Sequence, residues 1–190
     1  SHLKGKQDYG HQAVAVMLSC NGIVLNYDFV MYNKSISKID IIQNIAKELP
    51  VPPVMSYFLC DCWYVSEKII NTFAGKGYHT IGALKTNRML YPFGIKKKLN
   101  EFAALLSVTH SDFHLVTVKN QKYYVYRYEG KLNGIENAVV LLSYPEKAFG
   151  IPKALRAFLS TDVSLSTDEI LSYYVCRWPI EIFFRQCKDK

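Results

Sequence analysis

The sequence has no long apolar segment and no repeated pattern. No apolar run approaches the roughly 18 residues that a membrane-spanning helix needs, and the N-terminal residues show no signal-peptide pattern. We therefore expect neither a membrane span nor a membrane partner. Internal repeats and low-complexity stretches are also missing, which argues against a repeat architecture and against extended disorder.

The cysteines show neither the pattern of a disulfide framework nor that of a zinc site. The five cysteines are an odd number without regular spacing, and none belongs to a C-x-x-C pair. This pattern predicts no zinc site. Reduced thiols in a cytosolic protein are the simpler interpretation.

The sequence is rich in apolar, aromatic and basic side chains. Hydrophobic residues make up 49% of the 190 residues, which is enough for a packed core in one large domain or in a domain with an insertion. The net charge of +7 favours an anionic partner. Fourteen tyrosines add surfaces on which bases can stack, although we expect most of them to be core residues of strands.

Four residues near the C-terminus, Tyr174, Arg177, Glu181 and Lys188, have a spacing that groups them on a helix. Each residue of an ideal helix advances by about 100°, so all four side chains fall in a stripe about 60° wide. One carboxylate among two cations and a phenol suits a metal-bound phosphodiester. The alternatives are a solvated helix face and an i,i+4 salt bridge between Arg177 and Glu181. Pro179 either kinks this helix or opens a new one.

Asp61 follows an apolar run, residues 54–60, that predicts a buried strand. Open α/β sheets commonly bind ligands at the carboxyl ends of their strands, which is where this aspartate then lies. A carboxylate beside an apolar strand is costly to bury, so it usually has a partner or a metal. Alternatively, Asp61 caps the following helix, and the two roles are compatible.

Both segments resemble bacterial insertion-sequence transposases of the DDE type. The C-terminal residues match all four positions of the family's Y-(2)-R-(3)-E-(6)-K signature, and Phe58–Ser66 is similar to its D-S-W-Y-x-S element, with Cys62 replacing the usual Ser. The resemblance implies a DNA transposase catalytic domain that performs metal-dependent phosphodiester cleavage and strand transfer at transposon ends. It also implies that Asp61 and Glu181 are catalytic and bind the metal. Their hard oxygen ligands suit Mg²⁺, with Mn²⁺ as a substitute.

The resemblance also predicts the DNA contacts. It implies that Tyr174, Arg177 and Lys188 bind phosphates near the scissile end, and Arg177 is the strongest of these predictions because its guanidinium offers a fork of donors. Trp63 either stacks on DNA or lies in the core. The Lys96–Lys98 run is either a solvated helix face or a contact to the DNA backbone. We expect transposon ends and target DNA as partners, a homodimer for the full-length protein, and a bacterial cytoplasmic, nucleoid-associated location.

The family's first catalytic Asp is expected upstream of this sequence. Residues 1–6 and 10–12 resemble the segment that follows that Asp in the family. We therefore expect a fragment that is inactive on its own. The alternatives are a catalytically dead remnant that only binds DNA, and a metal-dependent nuclease of the same fold.

The element order predicts an α/β fold. It resembles an RNase H-like mixed sheet with flanking helices that lacks its first strand, and the resemblance to the family implies a β-rich insertion before the last helix. The predicted strands span 9–20, 23–32, 54–60, 78–84, 113–119, 122–129 and 138–144, with one more considered at 158–162, and the predicted helices span 38–49, 66–74 and 166–177. The predicted domain division is 1–84 for the first part of the core, 85–161 for the insertion, and 162–190 for the C-terminal helical part that carries Glu181.

Overall fold

The computed structural model describes residues 12–109 and 112–188, and within them the fold is mixed α/β, as predicted. The segments 1–6 and 10–11, which resemble the transposases, lie outside the described residues. The chain divides into two compact units. The first unit contains the residues up to Leu49 together with those from Trp178 onward, and the second is Pro50–Arg177.

The described strands and helices follow the predicted order, with additional elements in the middle of the chain and a separate helix at its end. The strands are β1 (Gln12–Cys20), β2 (Ile23–Tyr32), β3 (Ser56–Cys60), β4 (Tyr78–Leu84), β5 (Met89–Leu90), β6 (Lys97–Lys98), β7 (His114–Val118), β8 (Gln121–Leu132), β9 (Ile135–Pro145) and β10 (Arg156–Ser160). The helices are α1 (Lys38–Glu48), α2 (Glu67–Ala74), α3 (Leu99–Thr109), α4 (Thr167–Val175) and α5 (Trp178–Lys188).

The first unit is built on a β-hairpin. Strands β1 and β2 pair antiparallel across Asn21 and Gly22, whose φ angles of 49° and 79° are those of the tight turn that an Asn-Gly pair favours. Helix α1 begins after Ser37, whose side chain accepts a hydrogen bond from the backbone N–H of Asp40. Helix α5 belongs to the same unit, and the ring of Phe183 meets that of Phe29 edge to face.

The second unit contains one large sheet, with the strand order β3-β4-β10-β9-β8-β5-β6 and β7 paired to β8. Strands β3 and β4 are parallel, and the other pairs are antiparallel. Strand β10 pairs with β4 on one side and β9 on the other, so the strands of the predicted insertion continue the sheet that contains β3. The predicted domain division stays a prediction.

Apolar side chains cover both faces of this sheet. One cluster packs around α2 and α3 and includes Leu90, Leu99 and Leu142, none of which has exposed surface. The other lies under α4 and includes Ile81 and Ile170. Each fully buried leucine or isoleucine contributes about 1.5–3 kcal/mol to the free energy of unfolding. Cys60 and Val65, on either side of Asp61 in the chain, belong to the first cluster, so this packing stabilises the edge of the sheet that carries Asp61.

The interpretation of Lys96–Lys98 as a helix face is wrong. Lys97 and Lys98 form β6, which pairs with β5, and α3 begins only at Leu99. The backbone N–H of Leu99 donates to the carbonyl oxygen of Arg88 over 2.8 Å, which ties the start of α3 to the β5–β6 hairpin. Helix α3 itself was not among the predicted helices.

Candidate DNA and metal site

Asp61 lies at the carboxyl end of β3, as predicted. Strand β3 is parallel to β4, and Cys60 pairs with Gly82 at their last common position. The ends of both strands therefore meet at one edge of the sheet, and the half-buried Asp61 side chain lies there. This is the edge at which open α/β sheets commonly bind their ligands.

The hydrogen bonds of Asp61 hold the turn that follows β3. Its Oδ1 accepts the backbone N–H of Trp63 over 2.8 Å, and its carbonyl oxygen accepts the N–H of Tyr64 over 3.2 Å. Helix α2 is capped instead by Ser66, whose Oγ accepts the N–H of Ile69, so the proposed capping role of Asp61 is wrong. A carboxylate has about four lone-pair sites, so one hydrogen bond leaves it suitable as a cation ligand.

Close packing beneath Asp61 fixes this edge. A Cβ atom added to Gly82 would lie 2.5 Å from Cγ2 of Val65 and 2.9 Å from Sγ of Cys60, so only glycine fits here. Burial, reinforced by the charge of Asp61, raises the pKa of the Cys60 thiol far above its ordinary value. Cys60 is therefore a neutral packing residue.

Helix α4 carries the first half of the four-residue signature, and its start is well defined. The Ser166 side chain accepts the backbone N–H of Glu169 over 3.2 Å, and the Glu169 carboxylate accepts the N–H of Ser166 over 2.8 Å. This reciprocal capping box satisfies two helix-terminal N–H groups. The helix ends at Val175, with Cys176 as its C-terminal cap.

Tyr174 and Arg177 lie at the Asp61 edge. The half-buried Tyr174 ring packs against Phe158 with 4.8 Å between centroids, and the Arg177 guanidinium carbon lies 5.5 Å from the Tyr174 centroid. Burial is the main cause that raises the pKa of the Tyr174 hydroxyl; Arg177 opposes this, and the charge of Asp61 adds to it. The same arginine opposes the rise in the pKa of the Cys60 thiol. Asp61 and Arg177 thus both act electrostatically on the Tyr174 hydroxyl, at the edge of the sheet where β3 ends.

Sequence reasoning missed a polar cluster that fixes α4 on the sheet. The hydroxyl of Tyr57 donates to Oδ2 of Asp162 over 3.0 Å, and Oδ1 of Asp162 accepts the backbone N–H and the hydroxyl of Ser164. The Tyr57 ring also stacks on Tyr173 with 5.0 Å between centroids. The Asp-x-Ser spacing after a strand, typical of a side-chain-supported turn, was the available signal.

Both acidic groups of this cluster have shifted pKa values. Burial opposes the charge of Asp162, but the hydrogen bonds from Ser164 and Tyr57 outweigh it, so the pKa of this carboxyl is lowered. Burial and the hydrogen bond to Asp162 raise the pKa of Tyr57 to about 12. Asp162 is therefore ionised and Tyr57 protonated at neutral pH, as the hydrogen bond requires.

Trp63 is not a core residue, so that alternative is wrong. Its side chain is 71% exposed, because it lies on the turn beyond the edge of the sheet. The ammonium nitrogen of Lys85, the first residue after β4, lies 4.1 Å from the centroid of the indole ring. The indole is therefore exposed to solvent near Asp61 and is not part of the hydrophobic core.

The single-helix stripe predicted for the signature is wrong. A new helix, α5, begins at Trp178 with Pro179 in its first turn, where the missing N–H of proline has no cost. Tyr174 lies on α4, Arg177 between the helices, and Glu181 and Lys188 on α5, in the other compact unit. The Lys188 side chain lies outside the described part of the chain.

Residues 12–109 and 112–188 contain no group of three or more His, Cys, Asp or Glu side chains arranged to hold a metal ion. Asp61 and the half-buried Glu181 each offer hard carboxylate oxygens, the donor type that Mg²⁺ prefers. Their chemistry therefore suits this ion.

None of the described helices is long and apolar enough to cross a membrane.

The whole sequence matches a known protein family. The family model described as "Transposase DDE domain" matches residues 1–190. No curated protein and no solved structure matches the chain. Because the family model covers the whole sequence, the protein belongs to the transposase DDE domain family.

Proposed function

We propose that this chain is the catalytic domain, or a fragment of it, of a DNA transposase that performs metal-dependent phosphodiester cleavage and strand transfer at transposon ends. The family match over residues 1–190 carries the proposal. It is supported by Asp61 at the carboxyl end of β3, with Tyr174 and Arg177 beside it. The mixed sheet is compatible with the RNase H-like fold expected of such an enzyme.

In this proposal, Asp61 and Glu181 hold Mg²⁺, or Mn²⁺ in its place. Divalent ions at such a site activate the attacking oxygen and stabilise the leaving oxygen of the phosphodiester. Arg177 binds phosphate oxygens through its planar fork of donors. The raised pKa of Tyr174 keeps its hydroxyl protonated, so it donates a hydrogen bond to phosphate. Lys188 adds a further phosphate contact.

The partners follow from the same proposal. The protein binds transposon ends and target DNA in the bacterial cytoplasm, associated with the nucleoid, and acts as a homodimer when full length. Its formal charge of +7 supports attraction to the DNA backbone.

A DNA-binding protein without catalysis is the second candidate. It is favoured by one observation: the described residues bring no three metal-ligating side chains together. A nuclease of the same fold is a third candidate, and it is distinguished by cleavage without strand transfer.

The test measures DNA binding and DNA nicking separately. Binding to a short duplex is measured in Ca²⁺, and nicking of a supercoiled plasmid is measured with Mg²⁺, with Mn²⁺ and with a chelator. Asp61→Asn and Glu181→Gln are compared with Glu136→Gln, a control that removes an exposed carboxylate paired with Lys131 over 3.0 Å.

The full-length protein is used, because this chain is expected to be inactive on its own. Loss of nicking in both site variants, with binding retained, is the expected result. Nicking that survives both substitutions overturns the metal roles. DNA binding without nicking in the unmodified protein assigns the second candidate, and joining of cleaved ends to a target separates a transposase from a nuclease.

A further inference from the structure

The segment between β10 and α4 is held by an arginine from another strand of the sheet. Arg127 lies on β8, and its two terminal nitrogens donate to backbone carbonyl oxygens of that segment: Nη1 to Leu165 over 2.8 Å and Nη2 to Val163 over 2.9 Å. Because the guanidinium is a rigid planar fork, two such bonds fix the orientation of the segment as well as its distance from β8.

Arg127 lies in the same row of the sheet as the side chain that supports Tyr174. Arg127 pairs with Leu141 of β9, and Leu141 pairs with Phe158 of β10. Residues directly opposite each other on antiparallel strands share a face of the sheet. All three side chains therefore lie on the face that α4 covers, where Phe158 packs against Tyr174.

Helix α4 begins directly after the segment that Arg127 holds. Ser166, the residue after Leu165, is the N-terminal cap of this helix. The helix has nine residues, which corresponds to a length of about 13 Å. A hydrogen-bonded helix of this length moves as one piece, so a shift at its start also moves Tyr174 near its end and Arg177 just beyond it.

The contacts of Arg127 argue against a direct role in binding DNA. Both terminal nitrogens already donate to backbone carbonyls, and Oε2 of Glu129 lies 3.4 Å from Nη2. This carboxylate offsets the positive charge that would attract a phosphate. The side chain of Arg127 is also only 29% exposed. These observations favour an action on the protein backbone.

We propose that Arg127 is a positioning residue: by holding the carbonyl oxygens of Val163 and Leu165, it sets the position of α4 and so places Tyr174 and Arg177 for their phosphate contacts. This inference rests on the proposed function and deepens it. It assigns a role in the site to β8, a strand of the predicted insertion, without any contact between that strand and DNA.

The first experiment compares the effect of Arg127→Ala in two backgrounds. The affinity of the full-length protein for a short duplex is measured in Ca²⁺, so that no cleavage occurs. In the otherwise unmodified protein, Arg127→Ala is expected to weaken binding by about fivefold. Tyr174→Phe/Arg177→Ala removes both phosphate contacts and is expected to weaken binding by about twentyfold. Adding Arg127→Ala to that double variant is expected to cost less than about twofold, because the side chains through which it acts are gone.

Two further variants separate the planar fork from the positive charge. Arg127→Lys keeps the charge and the stem but loses the fork, so most of the affinity loss is expected to remain. This variant also supplies the test if Arg127→Ala does not fold. Arg88→Ala is the matched control: it removes a guanidinium that donates to the carbonyl oxygen of Asn133 over 3.4 Å, just beyond the far end of β8. Less than about a twofold change in affinity is expected for it.

Hydrogen exchange reports the state of α4 directly. In the protein without DNA, Arg127→Ala is expected to raise the exchange rates of the α4 amides by about tenfold, because the start of the helix is no longer held. Arg88→Ala is expected to leave these rates unchanged.

The outcomes separate this inference from the proposed function. If Arg127→Ala binds DNA as tightly as Arg88→Ala and leaves α4 exchange unchanged, the positioning role is refuted while DNA binding stands. Equal losses in both backgrounds, or restoration of affinity by Arg127→Lys, assign Arg127 a direct attraction to phosphate and also refute it. If Tyr174→Phe/Arg177→Ala binds normally, the phosphate roles of those residues fail, and this inference fails with them. An unmodified protein that does not bind duplex DNA overturns the proposed function and this inference together.

Discussion

The hydroxyl of Tyr57 donates a hydrogen bond to Oδ2 of Asp162 over 3.0 Å, between residues 105 positions apart in the chain. It joins β3, which ends directly before Asp61, to the segment that leads into α4, which carries Tyr174. One interaction therefore fixes both elements that contribute to the candidate site. Its strength is open to direct measurement.

Removing the Tyr57 hydroxyl is expected to destabilise the protein. Tyr57→Phe leaves the stacking on Tyr173 in place but removes a donor from a buried carboxylate, so the free energy of unfolding falls by about 1.5–3 kcal/mol. Chemical denaturation measures this change. Tyr123→Phe is the matched control, because its hydroxyl bonds the exposed side chain of Gln121 and the loss of this bond costs less than about 1 kcal/mol. Equal effects of the two variants would contradict the prediction.

The same pair predicts two pH windows of stability. The lowered pKa of Asp162 contributes stability above the ordinary value of 3.8, which is lost as the pH falls through the folded-state pKa. The raised pKa of Tyr57 contributes stability below 10.0, which is lost as the pH rises towards about 12. Unfolding measured against pH is expected to show a smaller acid loss in Asp162→Asn and a smaller alkaline loss in Tyr57→Phe. Profiles parallel to that of the unmodified protein would rule out this linkage.

Gly82→Ala is expected to disturb the Asp61 edge. The added methyl group would lie 2.5 Å from Val65 and 2.9 Å from Cys60, so these side chains must move, at a cost of about 1–3 kcal/mol. Denaturation measures the cost, and DNA nicking reports the effect on Asp61. The double variant with Val65→Ala relieves the closer contact and is expected to recover part of the stability. A single variant as stable as the unmodified protein would show that the packing is looser than described.

The cysteines are expected to differ in reactivity. Burial raises the pKa of Cys60, so little reactive thiolate is present, whereas Cys20, Cys176 and Cys187 are exposed. Iodoacetamide labelling followed by peptide mass spectrometry is expected to modify the three exposed thiols first and Cys60 only after denaturation. Labelling of Cys60 in the folded protein at a similar rate would contradict its buried position.

Local signals in the sequence predicted much of the fold. The Asn21-Gly22 pair located the first hairpin, Ser37 located the start of α1, and the apolar run before Asp61 located β3. These features depend on residues adjacent in the chain, where turn chemistry, capping and hydrophobic pattern act directly.

The missed features depend on contacts between distant residues. The Lys96–Lys98 run has no strand pattern of its own, and its last two residues become β6 because β5 pairs with them. Residue type alone favoured a core position for Trp63, and its exposure follows from the turn at Asp61. The Tyr57–Asp162 hydrogen bond spans more than half of the chain, beyond the reach of any local pattern.

The central position of β10 has a consequence for biosynthesis. Leu159 pairs with Gly82 on one side and with Val140 on the other, so β4 and β9 are joined in the sheet only through a strand near the end of the second unit. Such long-range pairing is slow, because the loop must close before the contacts form. During translation, β3 and β4, which end by Leu84, must therefore wait for β10, which ends at Ser160, before the sheet can form. Until then their apolar faces are open to aggregation, which makes dependence on chaperones an expected property of this chain.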